Sequence, residues 1–330
     1  MNAIEASNLS KSYRTRVKPA GLAASLQALI RPVWRDIPAV RDISFTVPQG
    51  EILAFIGPNG AGKSTTIKMM TGILRPSAGT ISVLGLNPQT ERSRLAYHVG
   101  SVFGQKSQLW FHLPPTDSFA LLGRIYDVEP QALRQRIRDL TDRFELGDLL
   151  DVPVRKLSLG QRIRCEVAAS LLHEPEILFL DEPTIGLDVV VKQNIRELIL
   201  QLNREKGTTV FLTSHDAGDV ELLCRRAIVI DHGQLVLDQP VKKLKYDYLN
   251  RKVVAVRFTE PHRLEPMPGV TLEKTGGLGS SLTVDTRIRP IGEVLAWLVQ
   301  TGAVADITVE DPPMEQIIAA IFASQGGDPT

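Results

Sequence analysis

One octapeptide limits the fold of this chain more than any other stretch. Residues 57–64 read Gly-Pro-Asn-Gly-Ala-Gly-Lys-Ser and follow the apolar run Ile52–Ile56 directly. An apolar run bounded by Gly50 and Gly57 reads as a buried strand that feeds a loop. The pattern G-x-x-x-x-G-K-[ST] in that place is a phosphate cradle, which ends a strand and opens a helix. Gly60 and Gly62 let the backbone turn tightly and point successive N–H groups at phosphate oxygens, with Gly57, Pro58, Asn59 and Ala61 completing the loop. A helix starting near Lys63 adds the positive end of its dipole. Lys63 reaches the β- and γ-phosphates, Ser64 is placed to ligate Mg²⁺, and Thr65 and Thr66 can add phosphate contacts.

The cradle does not choose among kinases, GTPases, motors and transporters. Residues 177–182, Ile-Leu-Phe-Leu-Asp-Glu, narrow the choice: a buried strand delivers two carboxylates to its end. Asp181 is expected to hold Mg²⁺ through water, and Glu182 to orient and polarise the attacking water beside the γ-phosphate. Between cradle and acidic strand lies Leu157-Ser158-Leu159-Gly160-Gln161, followed by a helical stretch to Leu172 whose Ile163, Val167 and Leu171 face inward. Ser158 can donate a hydroxyl hydrogen bond, Gly160 can bring its N–H close to an anion, and the helix end adds its dipole, with Gln161 as a further contact.

In this order the motifs resemble the ATP-binding subunit of ABC transporters, over residues 4 to 238. The resemblance implies a P-loop NTPase of ABC type, with a RecA-like α/β core, an antiparallel β subdomain and a helical signature subdomain. It implies ATP and Mg²⁺ as ligands, and a head-to-tail dimer in which each ATP lies between the cradle of one copy and the Ser158 segment of the other. Tyr13 sits where the family stacks an aromatic ring on adenine. Gln105 matches the glutamine that senses Mg²⁺ and the γ-phosphate, Asp188 the aspartate loop at the dimer interface, and His215 the histidine that contacts the γ-phosphate. The chain departs from the commonest signature at Leu159, which replaces a glycine, so the backbone there must be one that leucine tolerates.

The resemblance also implies separate integral membrane permease subunits, and places the chain at the cytoplasmic face of the membrane. The partner ATPase is a second copy of the chain or a related subunit. No apolar run approaches the roughly 20 residues that span a bilayer, so any membrane span belongs to another chain. The insertion after Tyr13, the Phe103-Gly104-Gln105-Lys106 stretch and the C-terminal region further resemble ATPases serving ABC-2 type exporters. The competing reading is an ABC-type ATPase acting on ribosomes or DNA. A net charge of +1 gives no reason to expect nucleic-acid binding, and neither a second motif set nor a heptad run is present.

Strands alternating with helices predict an α/β core with a parallel sheet over residues 1–240, with short strands at 4–9 and 43–47. A helical subdomain is expected at about 106–170, opened by a chain break at Pro114-Pro115, with a helix over Ala132–Phe144. Residues 14–38 read as an inserted segment. Leu22, Leu26, Leu29 or Ile30, and Val33 or Trp34 recur at helical spacing between basic flanks, as in a helix that touches a membrane, a membrane partner or this protein's own core. Pro240 and Lys242–Lys245 mark a boundary. Residues 241–330 predict a small α+β domain of order β, β, α, β, α, ferredoxin-like or related, serving as a dimer-stabilising or regulatory module. Cys165 and Cys224 make no disulfide framework.

Overall fold

The computed structural model describes residues 1–16, 34–103, 107–214, 216–248, 251–262, 264–274, 277–301, 304–312 and 314–325. They form two compact units, Met1–Asp238 and Gln239–Thr330.

In the first unit, β1 (Asn2–Arg16) and β2 (Trp34–Pro48) pair antiparallel, followed by β3 (Ile52–Ile56), α1 (Lys63–Met70) and β4 (Ala78–Val83). Next come α2 (Arg92–Ala96), β5 (Val99–Phe103), α3 (Pro115–Ile125), α4 (Pro130–Phe144) and α5 (Leu159–Leu171). The chain continues through β6 (Ile177–Asp181), α6 (Val189–Lys206), β7 (Thr209–Thr213), α7 (Ala217–Leu223), β8 (Arg226–Asp231) and β9 (Gln234–Pro240). Strands β2-β1-β4 make an antiparallel sheet, and β5-β6-β7-β3-β8-β9 make a six-stranded sheet. Within the latter, β5, β6, β7, β3 and β8 run parallel.

Strand β3 lies between β7 and β8 with every side chain buried, as a parallel strand covered on both faces requires. Phe211 joins the two sheets: its ring centroid lies 5.2 Å from Phe55, 5.8 Å from Phe179 and 6.1 Å from Phe45. The central position of β3 puts its carboxyl end, and so the cradle, beside the ends of β7 and β8.

Helix boundaries follow local chemistry. Pro114-Pro115 does not break the chain but starts α3, because Pro115 at the first helical position loses no hydrogen bond. Glu129 caps α4 through the Ala132 N–H at 2.8 Å, with Pro130 next in line. Asp188 caps α6, which ends on Gly207 at φ 66°. The His232-Gly233 turn, at φ 45° and 80°, joins β8 to β9, a connection the sequence reading did not anticipate.

Strands expected at 4–9 and 43–47 are much longer here, because β1 and β2 continue as a paired ribbon past the end of β4. The ribbon includes Tyr13 opposite Ile37 and Arg16 opposite Trp34, so both ends of the segment read as inserted are strand. The Arg14 guanidinium lies 5.3 Å from the Trp34 ring, a cation–π contact that favours this pairing. The helix expected from Leu22 to Val33 or Trp34 lies outside the described residues, apart from Trp34, which opens β2.

In the second unit, α8 (Val241–Tyr248) precedes β10 (Arg251–Phe258), β11 (Val270–Lys274), β12 (Gly279–Asp285), α9 (Ile291–Thr301), β13 (Val304–Glu310) and α10 (Met314–Gln325). Its antiparallel sheet has the order β11-β12-β10-β13. Val254, Val256 and Phe258 bury one sheet face with Leu282, Val284, Val294 and Leu298. The expected order omitted β11, whose five residues Val-Thr-Leu-Glu-Lys carry too short an alternation to register. It also omitted α8, whose lysines read as marking a domain boundary.

Candidate functional site: a phosphate cradle facing a carboxylate

The cradle is shaped by backbone that only glycine serves well. Gly62 adopts φ 110°, and a Cβ there would lie 2.6 Å from the Ala39 carbonyl oxygen. Gly60 adopts φ 83° in open space. A Cβ on Gly57 would lie 2.3 Å from the Ile230 carbonyl oxygen, so the loop presses on β8. The Ala61 N–H donates to the Pro58 carbonyl at 3.1 Å and closes the turn. Gly62 then begins α1 without a side-chain cap, which leaves the helix end to an anion.

Lys63 is buried, and its Nζ donates to the carbonyls of Gly57 at 2.6 Å and Pro58 at 3.2 Å. It lies 3.6 Å from Glu182 Oε1. Burial lowers the pKa of the ammonium, and the Glu182 and Asp181 carboxylates oppose that shift. Ser64 and Thr65 are half-buried at the start of α1. The Tyr13 hydroxyl lies 3.5 Å from Thr65 Oγ1, so the ribbon brings this ring to the cradle. Thr66 turns the other way: its hydroxyl donates to the Gly62 carbonyl at 3.0 Å, and the side chain is fully buried. That geometry commits the Thr66 hydroxyl to the helix and not to a phosphate.

Asp181 ends β6 and Glu182 follows it, beside β7. The Thr213 hydroxyl donates to Asp181 Oδ1 at 2.7 Å, and the Glu182 N–H donates to the Thr213 carbonyl at 3.1 Å. Glu182 stands at φ 56°, in the left-handed region, which turns the chain sharply as it leaves the strand. Thr213 therefore orients the Asp181 carboxylate and holds the Glu182 backbone, a role the sequence reading missed because a threonine at a strand end carries no distinctive pattern.

Ser158 is the N-cap of α5 in a reciprocal capping box. Its Oγ accepts the Gln161 N–H at 3.2 Å, and Gln161 Oε1 accepts the Ser158 N–H at 2.9 Å. That arrangement uses the Gln161 side chain within its own chain. It uses a lone pair of the Ser158 hydroxyl and leaves the hydroxyl hydrogen for an anion. Leu159 is helical and exposed, so leucine meets no backbone strain there. A Cβ on Gly160 would lie 3.3 Å from Val191 Cγ1, which places the Ser158 segment against the first turn of α6. Asp188 caps that turn by accepting the Val191 N–H at 3.0 Å. Gln105 and His215 lie outside the described residues.

Two buried carboxylates escaped the sequence reading. Glu166 of α5 accepts hydrogen bonds from the Ser107 hydroxyl and from the Gln108 N–H at 3.1 Å. Burial raises its pKa against the pull of those bonds. Asp219 is fully buried beside Arg196, Thr184 and Ser214. Burial pushes the Cys165 thiol up to about 12 and raises that of Cys224 too, so neither supplies a thiolate.

A parallel sheet whose central strand ends in this cradle, with a carboxylate facing the cradle lysine and a capped signature helix, defines the ATP-binding cassette class of P-loop ATPases. The family model described as ABC transporter matches residues 40–185. Over 200 residues the chain is 35% identical to the ABC transporter ATP-binding protein NatA of Bacillus subtilis, covering 61% of this chain and 81% of that one. It is 34% identical over 263 residues to the Nod factor export ATP-binding protein I of Neorhizobium galegae, covering 78% and 75%. It is 37% identical over 217 residues to the daunorubicin/doxorubicin resistance ATP-binding protein DrrA of Streptomyces peucetius, covering 64% of each. The chain belongs to the ABC transporter family, as an ATP-binding and ATP-hydrolysing subunit.

Solved structures show the same fold. A dimeric ATP-binding cassette in a post-hydrolysis state with ADP and Pi superposes with a TM-score of 0.61 at 23% identity, over 72% of this chain and 98% of that one. The cbiO1 protein of Clostridium perfringens gives a TM-score of 0.60 at 27% identity, over 74% and 91%. No helix among the described residues is long and apolar enough to cross a membrane.

Proposed function

We propose that two copies of this chain close head to tail over two ATP molecules and drive export through separate membrane subunits. The observation that carries this reading is the buried Lys63 facing Glu182 across the cradle, at 3.6 Å. The cradle N–H groups, the α1 dipole and Lys63 hold the β- and γ-phosphates, while Tyr13 stacks on the base. Glu182 takes up the role of general base for the attacking water. Ser158 and Gly160, at the exposed start of α5, meet the γ-phosphate bound by the partner copy, and Asp188 lies along the same interface.

Ser64 and Asp181 offer one hydroxyl and one carboxylate, both hard oxygen donors. That set suits Mg²⁺, which takes one or two protein ligands and fills its shell with phosphate oxygens and water. When bound, the ion neutralises charge on the β- and γ-phosphates. Gln105 and His215 complete the set as γ-phosphate sensors.

The exposed apolar side chains of Trp110, Phe111 and Leu113 form the docking face for the membrane partner, which holds the chain at the cytoplasmic face. The direction of transport rests on relatives whose names specify Nod factor export and daunorubicin/doxorubicin resistance. Their names are of transporter subunits, which supports this reading over one of a ribosome- or DNA-acting ATPase.

Mixing tests the shared site. Ser158→Arg alone is expected to lose ATP hydrolysis while binding a fluorescent ATP analogue normally, and Lys63→Ala to lose binding. An equal mixture of the two restores one composite site per mixed dimer, and so a fraction of wild-type phosphate release. Full activity of Ser158→Arg by itself contradicts the reading.

A further inference from the structure

We propose that Asp219 is a positioning residue for ATP hydrolysis, fastening the loop that follows Glu182 to the end of β7. Both loops leave the carboxyl ends of neighbouring parallel strands, β6 and β7, and beyond the bond from the Glu182 N–H to Thr213 the ladder between these strands goes no further among the described residues. Asp219, in the first turn of α7, supplies the missing tie. Its Oδ2 accepts the Thr184 hydroxyl at 2.5 Å from the first loop and the Ser214 hydroxyl at 2.7 Å from the second. Its Oδ1 accepts Arg196 Nε at 2.7 Å from α6. The Arg196 guanidinium continues to Asp216 Oδ1 at 2.9 Å, and Lys192 pairs with the other oxygen of Asp216. One fully buried carboxylate thus joins four elements of the hydrolytic end of the sheet.

Thr184 stands two residues beyond Glu182 and is itself buried. Gly186, at φ 71°, then turns the loop toward Asp188. A displacement of Thr184 therefore moves Glu182 on one side and the α6 cap on the other. Glu182, Thr184, Lys192, Ser214 and Asp216 line a cavity of about 240 Å³, so the tie forms part of the wall of the space that Glu182 borders.

A buried ion pair adds little net stability over an apolar cluster of the same shape. What this one supplies is direction, because three donors converge on two oxygens at fixed bearings. Positioning errors of about 1 Å at a reacting group can lower turnover on the order of a hundredfold. The cradle lies on other elements, β3 and α1, so ATP binding is expected to survive loss of the tie.

This inference rests on Glu182 as the hydrolytic carboxylate, and the experiment separates the two. Steady-state phosphate release and binding of a fluorescent ATP analogue are measured for Asp219→Asn, Thr184→Val, Thr184→Ser and the Asp219→Asn/Thr184→Val double variant, with Glu182→Gln alongside. Asp219→Asn and Thr184→Val are expected to lower kcat on the order of ten- to a hundredfold with nucleotide affinity retained. Thr184→Ser keeps the hydroxyl and is expected to keep kcat. The double variant is expected to be no worse than the more impaired single one, because both remove one connection. Wild-type kcat in Asp219→Asn or Thr184→Val overturns the proposal, as does an equal loss of kcat in Thr184→Ser. Should Asp219→Asn fail to fold, the Thr184 pair decides. Normal turnover of Glu182→Gln removes the underlying reading whatever Asp219 shows.

Discussion

Lys63 Nζ and Glu182 Oε1 face each other at 3.6 Å, while the same Nζ donates to two carbonyls of its own loop. The ammonium thus lies within its own loop and beside a carboxylate at once. On the proposed reading, ATP binding is expected to exchange those carbonyl contacts for phosphate ones and to bring a further anion close to Glu182.

Glu182→Gln removes one negative charge from that surrounding. The variant is expected to bind ATP at least as tightly as the wild type. Turnover should fall by on the order of 10²- to 10⁴-fold, the usual contribution of a general base. Fluorescent-nucleotide titration and phosphate release check the two halves, and near-normal turnover would contradict the general-base role.

Gly60 and Gly62 separate conformation from space. Alanine at 60 meets only the left-handed backbone, a penalty of roughly 1–2 kcal/mol. Alanine at 62 meets the same penalty and the Ala39 carbonyl oxygen at 2.6 Å. Gly62→Ala is expected to lose roughly 1–3 kcal/mol more stability than Gly60→Ala, as overpacked sites do, and to lose ATP binding. Thermal denaturation of the two variants measures the difference.

Phe211 touches three other phenylalanines at the junction of the two sheets. Phe211→Ala is expected to destabilise the first unit by about 3–5 kcal/mol through lost burial and the cavity left behind. Denaturant unfolding followed by near-UV dichroism reads this directly, and a loss below 1 kcal/mol would mean the site collapses around the gap.

His173 gives the fold an acid sensitivity. Its ring stacks on Tyr126 at 3.9 Å, its Nε2 lies 3.1 Å from the Val99 carbonyl oxygen, and its Nδ1 is buried without a hydrogen-bond partner among the described residues. Burial lowers its pKa, opposed by the bond to Val99 and aided by nearby Arg136. The folded state therefore binds this proton more weakly than the unfolded chain does. The contribution is fully present above the unfolded value of about 6.5 and is lost as pH falls through the lower folded value. Melting temperature is expected to drop across that window in the wild type and to drop less in His173→Phe.

Much of this architecture is legible in the residues alone. The run Ile52–Ile56 before Gly57 places β3, the cradle and α1, and Ile177–Leu180 before Asp181 places β6 with its carboxylates. Those signals are dense, with continuous apolar character bounded by glycine or acid. The β1–β2 ribbon was not legible, because beyond Ser10 its residues alternate polar side chains on both faces and pairing comes from the opposite strand. Thr213, Asp219 and Glu166 were not legible as site residues either. Each has a partner 30 or more residues away in sequence, and only the fold supplies it. The Thr66 hydroxyl was read toward phosphate, whereas helical geometry returns it to Gly62 four residues back.

The backbone at Glu182 sets stability against chemistry. A non-glycine residue at φ 56° is held about 1–2 kcal/mol above a relaxed conformation. Glycine at this position would relieve that strain and discard the carboxylate. In the proposed reading, that strain is what holds the carboxylate opposite Lys63, at 3.6 Å.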